Sequence, residues 1–273
     1  MQTVGHWWGR HEIALDTSRY WQIGPLHLWI EHRMHEWHVQ WEHGKDPLEA
    51  AVQVEAFHSN VQKPQNAQQP AKVAKFAFRE ASDALVFTPQ LADRPVVTRL
   101  EVAMSILPGE EIMLYVSTPL WVKIEMHQPP KTLFELPCFR LSDTWFGPMS
   151  SDGLLCFASR TPAYLQLKDI PFRWHAVITP VLVRNLGTDS LLVDRFNLPL
   201  PQLSLFHSPR SGFWTDTVIL ERMPHSDLTS MTTDRKPPQE AAPTNFISHP
   251  RLSSDSKAVF RAFHQLFKER PTL

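Results

Sequence analysis

Proline does most to limit the folds open to this chain. There are 24 prolines in 273 residues, against only 9 glycines. Each proline lacks a backbone donor and clashes with the preceding helical turn, so long helices have little room. The short segments that remain carry 10 Trp and 16 Phe, side chains suited to a pleated, half-buried surface. Hydrophobic residues make up 42% of the chain, enough to bury a sizeable core. The length suggests one or two domains. The expected fold class is therefore mainly β.

Alternation along the chain places the strands. Leu26, Leu28 and Ile30 alternate with His27, Trp29 and Glu31. After a polar turn at Arg33–Glu36, Trp37, Val39 and Trp41 alternate with His38, Gln40 and Glu42, so Tyr20–His43 reads as a hairpin. Asn60–Ala71 is rich in Gln, Asn and Pro and reads as a solvated loop. Lys75–Arg79, Ala84–Thr88 and Val96–Met104 are short strand candidates. Ile112–Val116 and Leu120–Met126 follow the turn at Pro108-Gly109. Trp174–Asn185 and Leu191–Phe196 flank turn chemistry and read as a second hairpin. Leu203–His207 and Trp214–Arg222 add two more strands. Many short strands at regular spacing point to a β-sandwich-like architecture, here two packed β halves.

Residues 224–252 are rich in Pro, Ser and Thr and read as a linker. An amphipathic helix is expected beyond it, over 253–273. Ser253, Ser254 and Asp255 stand at its start, and Val259, Phe260, Phe263, Leu266 and Phe267 fall on one face. The expected division is thus 1–130, 131–223, the linker 224–252 and the helix 253–273. That helix either packs on its own sheet or docks in a partner's groove, with those five apolar residues as the binding face.

Charge excludes some partners. Lys and Arg number 27 and Asp and Glu 28, a formal net charge of −1. Nucleic acid is not expected, because phosphate binding needs a basic excess. No stretch reaches the ~20 apolar residues that cross a bilayer, and no secretory signal precedes the two cysteines, Cys138 and Cys156. The expectation is a cytoplasmic protein with both thiols reduced; a regulatory bridge between them is the alternative.

Two segments are candidate sites. His27, His32, His35, His38 and His43 fall within 17 residues, yet strand parity sends neighbours to opposite faces, and no metal site is assigned. Arg140–Gly147 (RLSDTWFG) places Arg140, Ser142, Asp143 and Trp145 together as ligand-binding candidates. There Arg140 would pair an anion and Asp143 would orient a hydroxyl. The bland reading of both is structural: a polar strand face and a turn. No catalytic residue and no cofactor is assigned. Nucleophile elbows and phosphate-cradling glycine loops are both missing.

The order of several short motifs carries a family resemblance. They are Trp21–Trp29 (WQIGPLHLW), Glu36-Trp37, Leu107–Glu110 (LPGE), Ser117–Leu120 (STPL), Arg140–Gly147, Gly153–Cys156 (GLLC) and Pro180–Asn185 (PVLVRN). As a set, over Tyr20 to Arg222, they resemble the domain of unknown function 432 family of conserved prokaryotic proteins. That family brings no established activity. Members tend to be encoded near small-conductance mechanosensitive channels. The resemblance therefore implies a non-catalytic accessory subunit at the cytoplasmic side of such a channel, peripheral to the cell membrane through its partner. The rival expectation is a metal- or small-ligand-binding β protein, an enzyme included, using the histidine-rich hairpin and Arg140–Gly147. A carbohydrate-binding sandwich is a third, marked by exposed Trp pairs.

Overall fold

The computed structural model describes residues 6–58, 72–79, 82–147, 153–224, 229–252 and 258–260. It is mainly β, and strands are numbered along the chain. β1 (Gly9–Glu12), β2 (Thr17–Ile23), β3 (Leu26–Arg33) and β4 (Glu36–His43) lead into β5 (Val52–His58), β6 (Lys72–Ala77) and β7 (Ala84–Gln90). β8 (Val96–Ile106), β9 (Glu111–Pro119), β10 (Trp121–Met126) and β11 (Lys131–Pro137) follow. Then come β12 (Ser142–Phe146), β13 (Leu154–Thr161), β14 (Ala176–Asn185) and β15 (Leu191–Leu198). The last are β16 (Leu205–Ser208), β17 (Gly212–Thr215), β18 (Val218–Arg222), β19 (Thr229–Thr233), β20 (Asn245–Ser248) and β21 (Ala258–Phe260). The helices among the described residues are single 3-10 turns, such as Leu167–Asp169.

Contacts divide the chain into two units that interleave along the sequence. One comprises residues 1–91, 119–140 and 172–177; the other comprises 92–118, 141–171 and 178–273. The sequence places one boundary between the two β halves, after Pro130. Long-range strand pairing cuts across it, because β10 pairs with β7 while β8 pairs with β13 and β15.

The first unit holds a five-stranded sheet, ordered β5-β2-β3-β4-β6, and a four-stranded sheet, ordered β1-β7-β10-β11. Alternation decides what each buries. Trp21, Leu28, Ile30, Trp37 and Val39 are fully buried on the inner face of the first sheet, with Phe87, Val122 and Ile124 buried on the second. Trp21 stacks on Phe87 with ring centroids 4.6 Å apart, and Trp41 meets Phe134 at 4.5 Å. The expected β3–β4 hairpin is present in full register, from Leu26 opposite His43 to Arg33 opposite Glu36. At the β2–β3 turn, Gly24 takes φ +57°, and a Cβ there would lie 2.3 Å from the His175 ring. Only glycine fits both demands.

In the second unit a four-stranded sheet, β12-β13-β8-β15, accompanies an eight-stranded one, β20-β16-β17-β14-β18-β19-β21 with β9 also on β14. Tyr115, Phe206, Trp214 and Ala241 form a buried cluster against Tyr164, Leu167 and Ile170. The expected β14–β15 hairpin does not form. Both strands exist, but β15 pairs antiparallel with β8 and β14 pairs with β18. The intervening turn is real: the Asn185 side chain donates to the carbonyls of Ile106 and Asp189 at 2.9 and 2.8 Å. It redirects the chain between sheets instead of closing a ladder.

Two further expectations need correction. The segment 224–252, read as a linker, carries β19 and β20, which pair with β18 and β16. Its prolines punctuate short strands without preventing them. The C-terminal helix is not supported: Ala258–Phe260, including Val259 and Phe260, is strand β21 paired antiparallel with β19. Its remaining anchors, Phe263, Leu266 and Phe267, lie outside the described residues, as does Asn60–Ala71. Val259 and Phe260 are β-favouring residues, and pairing with a neighbour overrode their helical spacing.

Buried titratable groups give this fold a pH response. His175 is 2% exposed, and burial, aided by Arg173, pushes its pKa from 6.5 down to about 4. The unfolded chain therefore binds the proton more readily than the folded one. The stabilisation is complete above pH 6.5 and is lost as the pH falls through 4, to the extent of roughly 3 kcal/mol. Urea unfolding midpoints should fall over this range, and fall less steeply in His175→Gln; parallel profiles would contradict the assignment. Cys138 and Cys156 are both free and buried. Burial pushes the Cys138 thiol far up and Cys156 to about 11. Ellman's reagent should label neither in the native protein and both after denaturation, because the thiolate is the reactive form. Rapid native labelling would refute the buried placement.

Candidate functional site

The histidines of the β3–β4 hairpin separate by strand parity. His32 points inward, is 3% exposed, stacks on Trp37 at 4.1 Å, and its Nδ1 lies 2.9 Å from the carbonyl of Ile13. His43 shares that parity, and its Nε2 lies 2.8 Å from the carbonyl of Pro137. His35 occupies the turn with φ 62°. His27 and His38 alternate with the buried residues and face outward. Nε2 of His38 lies 2.7 Å from Glu36. Among the described residues no group of three or more His, Cys, Asp or Glu stands close enough to hold a metal ion.

The outer face around His27 is a half-buried aromatic row. The Tyr20 hydroxyl lies 2.7 Å from Nδ1 of His27, and the Tyr20 ring is 5.2 Å from Trp29. Burial lowers the His27 pKa, against the opposing pull of Glu42 and Glu49. Burial raises Tyr20 to about 12, reinforced by Glu55 and Glu42. A tyrosine that keeps its proton beside a histidine that stays neutral makes Tyr20 the donor. The pair is satisfied, and the arrangement is structural.

Arg140–Gly147 does not converge on a ligand. Ser142–Phe146 is β12, so Ser142 and Asp143 point to opposite faces. Asp143 pairs with Arg94 at 3.2 Å, and Arg94 in turn lies over the Phe157 ring at 5.2 Å. Arg140 precedes the strand and belongs to the other unit. A polar surface cleft of about 340 Å³ is lined by Arg10, Glu12, Asp83 and His127. Arg10 pairs with Glu12 at 2.9 Å and reaches His127 at 3.3 Å, so its charges already answer one another.

Trp145 is the candidate that gains weight. It is 48% exposed, and it is the one exposed residue among the ten tryptophans. A pair of exposed tryptophans, the mark of the carbohydrate reading, is therefore not present. Trp145 pairs in register with Leu155, which is 50% exposed, and Leu154 nearby is 40% exposed. A Cβ on Gly153 would stand 2.2 Å from the indole, so the absent side chain is what seats the ring against the backbone. β12 is also the outer strand of its sheet, with β13 on one side and no described strand on the other. Sequence reading found Trp145 but missed its partners. GLLC carries no turn or ligand signal, and exposure of leucines on a strand is not legible from alternation.

Family membership follows from the whole chain. The family described as Protein of unknown function (DUF432) matches residues 7–268, beyond both ends of the stretch that carries the motif resemblance. No curated protein and no solved structure matches. The mainly β chain described here thus belongs to the DUF432 family of proteins of unknown function.

Proposed function

We propose that this protein is a non-catalytic interaction module that takes an extended segment of a partner protein along the outer edge of β12. The observation that carries the reading is the exposed Trp145–Leu155 pair on a strand bonded on one side. An outer strand offers unpaired N–H and C=O groups in register for a further strand. A large aromatic held in place beforehand gives such an interface its anchor at low entropic cost. Leu155 extends the apolar contact on the same face, and Asp143, held by Arg94, supplies a polar rim. The partner is a membrane channel of the small-conductance mechanosensitive class, met at its cytoplasmic side, as the family resemblance implies. No helix among the described residues is long and apolar enough to cross a membrane, so contact with the bilayer would run through that partner.

The test is affinity purification of the tagged full-length chain, expressed from its own locus and released in mild detergent. A mechanosensitive channel should co-purify stoichiometrically, and Trp145→Ala should reduce its recovery by about tenfold or more. Leu155→Ser should weaken it less. Recovery of the protein without a channel, or undiminished recovery by Trp145→Ala, would overturn the proposal.

A further inference from the structure

Three arginines stand in one row across the second unit's four-stranded sheet. Arg160 on β13 pairs in register with Arg99 on β8, and Arg99 pairs with Arg195 on β15. Register partners project from the same face. Their strand neighbours Thr98, Leu100, Thr161 and Phe196 are buried on the inner face, which leaves the arginines on the outer one. Arg99 and Arg160 are exposed and Arg195 is half-buried.

Like charges placed directly opposite one another destabilise a sheet unless something neutralises them. No ion pair among the described residues does. Arg10, Arg33, Arg94 and Arg184 each hold a carboxylate at 2.7 to 3.2 Å. Arg99, Arg160 and Arg195 make no hydrogen bond or ion pair with any described residue. Glu101 and Asp194, the nearest acids along β8 and β15, pair with none of the three. Arg195 keeps a buried Nε without a partner.

A row of guanidinium groups without ion pairs describes an anion-binding face. The forked geometry of arginine matches phosphate oxygens in pairs. The row crosses two strand spacings, about 10 Å, more than one phosphate covers.

We propose that this face binds a polyphosphate group, either on a soluble metabolite or as the headgroup of an anionic lipid. The site is independent of the Trp145 edge, so either proposal stands if the other fails. Calorimetric titration of the full-length protein with inorganic tripolyphosphate at physiological ionic strength should show one site per chain. Arg99→Gln and Arg160→Gln should each weaken binding by about tenfold or more, with Arg99→Lys recovering only part of it because an ammonium cannot fork. Arg184→Gln removes one charge from an arginine already paired with Glu111 and Glu221, and it should leave affinity unchanged. Unshifted melting temperatures would separate lost binding from lost folding. Co-sedimentation with phosphatidylcholine vesicles, with and without phosphatidylinositol bisphosphate, distinguishes the sources. Tighter binding to the bisphosphate vesicles assigns the headgroup, and binding to tripolyphosphate alone assigns a soluble ligand. No binding to either probe, or equal weakening by Arg184→Gln, would overturn the proposal. So would preference for an acidic peptide or single-stranded DNA over both phosphate probes.

Discussion

Trp21 stacked on Phe87 is one of the aromatic contacts through which the two sheets of the first unit meet. Both rings are fully or almost fully buried, and each sits mid-strand. Trp21 lies opposite Leu28 on one side and Val54 on the other; Phe87 lies opposite Gly9 and Ile124. A slip of one residue in β2 would turn Trp21 outward and Gln22 into the core. The stack therefore dictates the register of its neighbours. That register places Leu26, Leu28 and Ile30 inside and sends His27 and Trp29 outside. The histidine-rich face is a consequence of where the tryptophan must go.

The local part of this architecture was legible in the sequence, and the non-local part was not. Leu26–Arg33 and Glu36–His43 alternate cleanly across a short polar turn, so strands, turn and pairing could all be read. Leu191–Phe196 also reads as a strand, but its partner, β8, lies some ninety residues earlier. Nothing in the turn at Asn185–Ser190 distinguishes a chain that folds back from one that leaves for another sheet. The same limit hid the interleaving of the two units. Arg140–Gly147 was read as a turn or ligand loop because Ser, Asp and Gly favour turns. Pairing with β13 makes most of it a strand. Trp145 was named among the ligand candidates, while its exposure and its seat on Gly153 depend on that unseen pairing.

The two proposed sites share a physical origin. Sheets leave groups unsatisfied in two ways: backbone groups at an outer strand, and side chains whose cross-strand neighbours repel. Much of the chain avoids the second. Carboxylates answer Arg10, Arg94 and Arg184, and buried Asn185 spends its amide on two carbonyls. Against that background, β12 with its exposed indole and the Arg160–Arg99–Arg195 row stand apart. Both lie on the four-stranded sheet of the second unit, whereas His27, His32, His38 and His43 of the first unit's hairpin each have a partner. The sequence drew attention to the hairpin because histidine is conspicuous. Three arginines spread over 97 residues become a site only when the register is known.

Residue-resolved amide hydrogen exchange on the free protein tests the central claim most directly, that β12 is an open edge held ready for a partner strand. The account predicts alternation along Ser142–Phe146. Amides bonded to β13 should be protected, and the intervening ones, pointing away from the sheet, should exchange nearly as fast as in an unstructured chain. Uniform protection along β12 would mean that this edge is already covered, and would contradict the account.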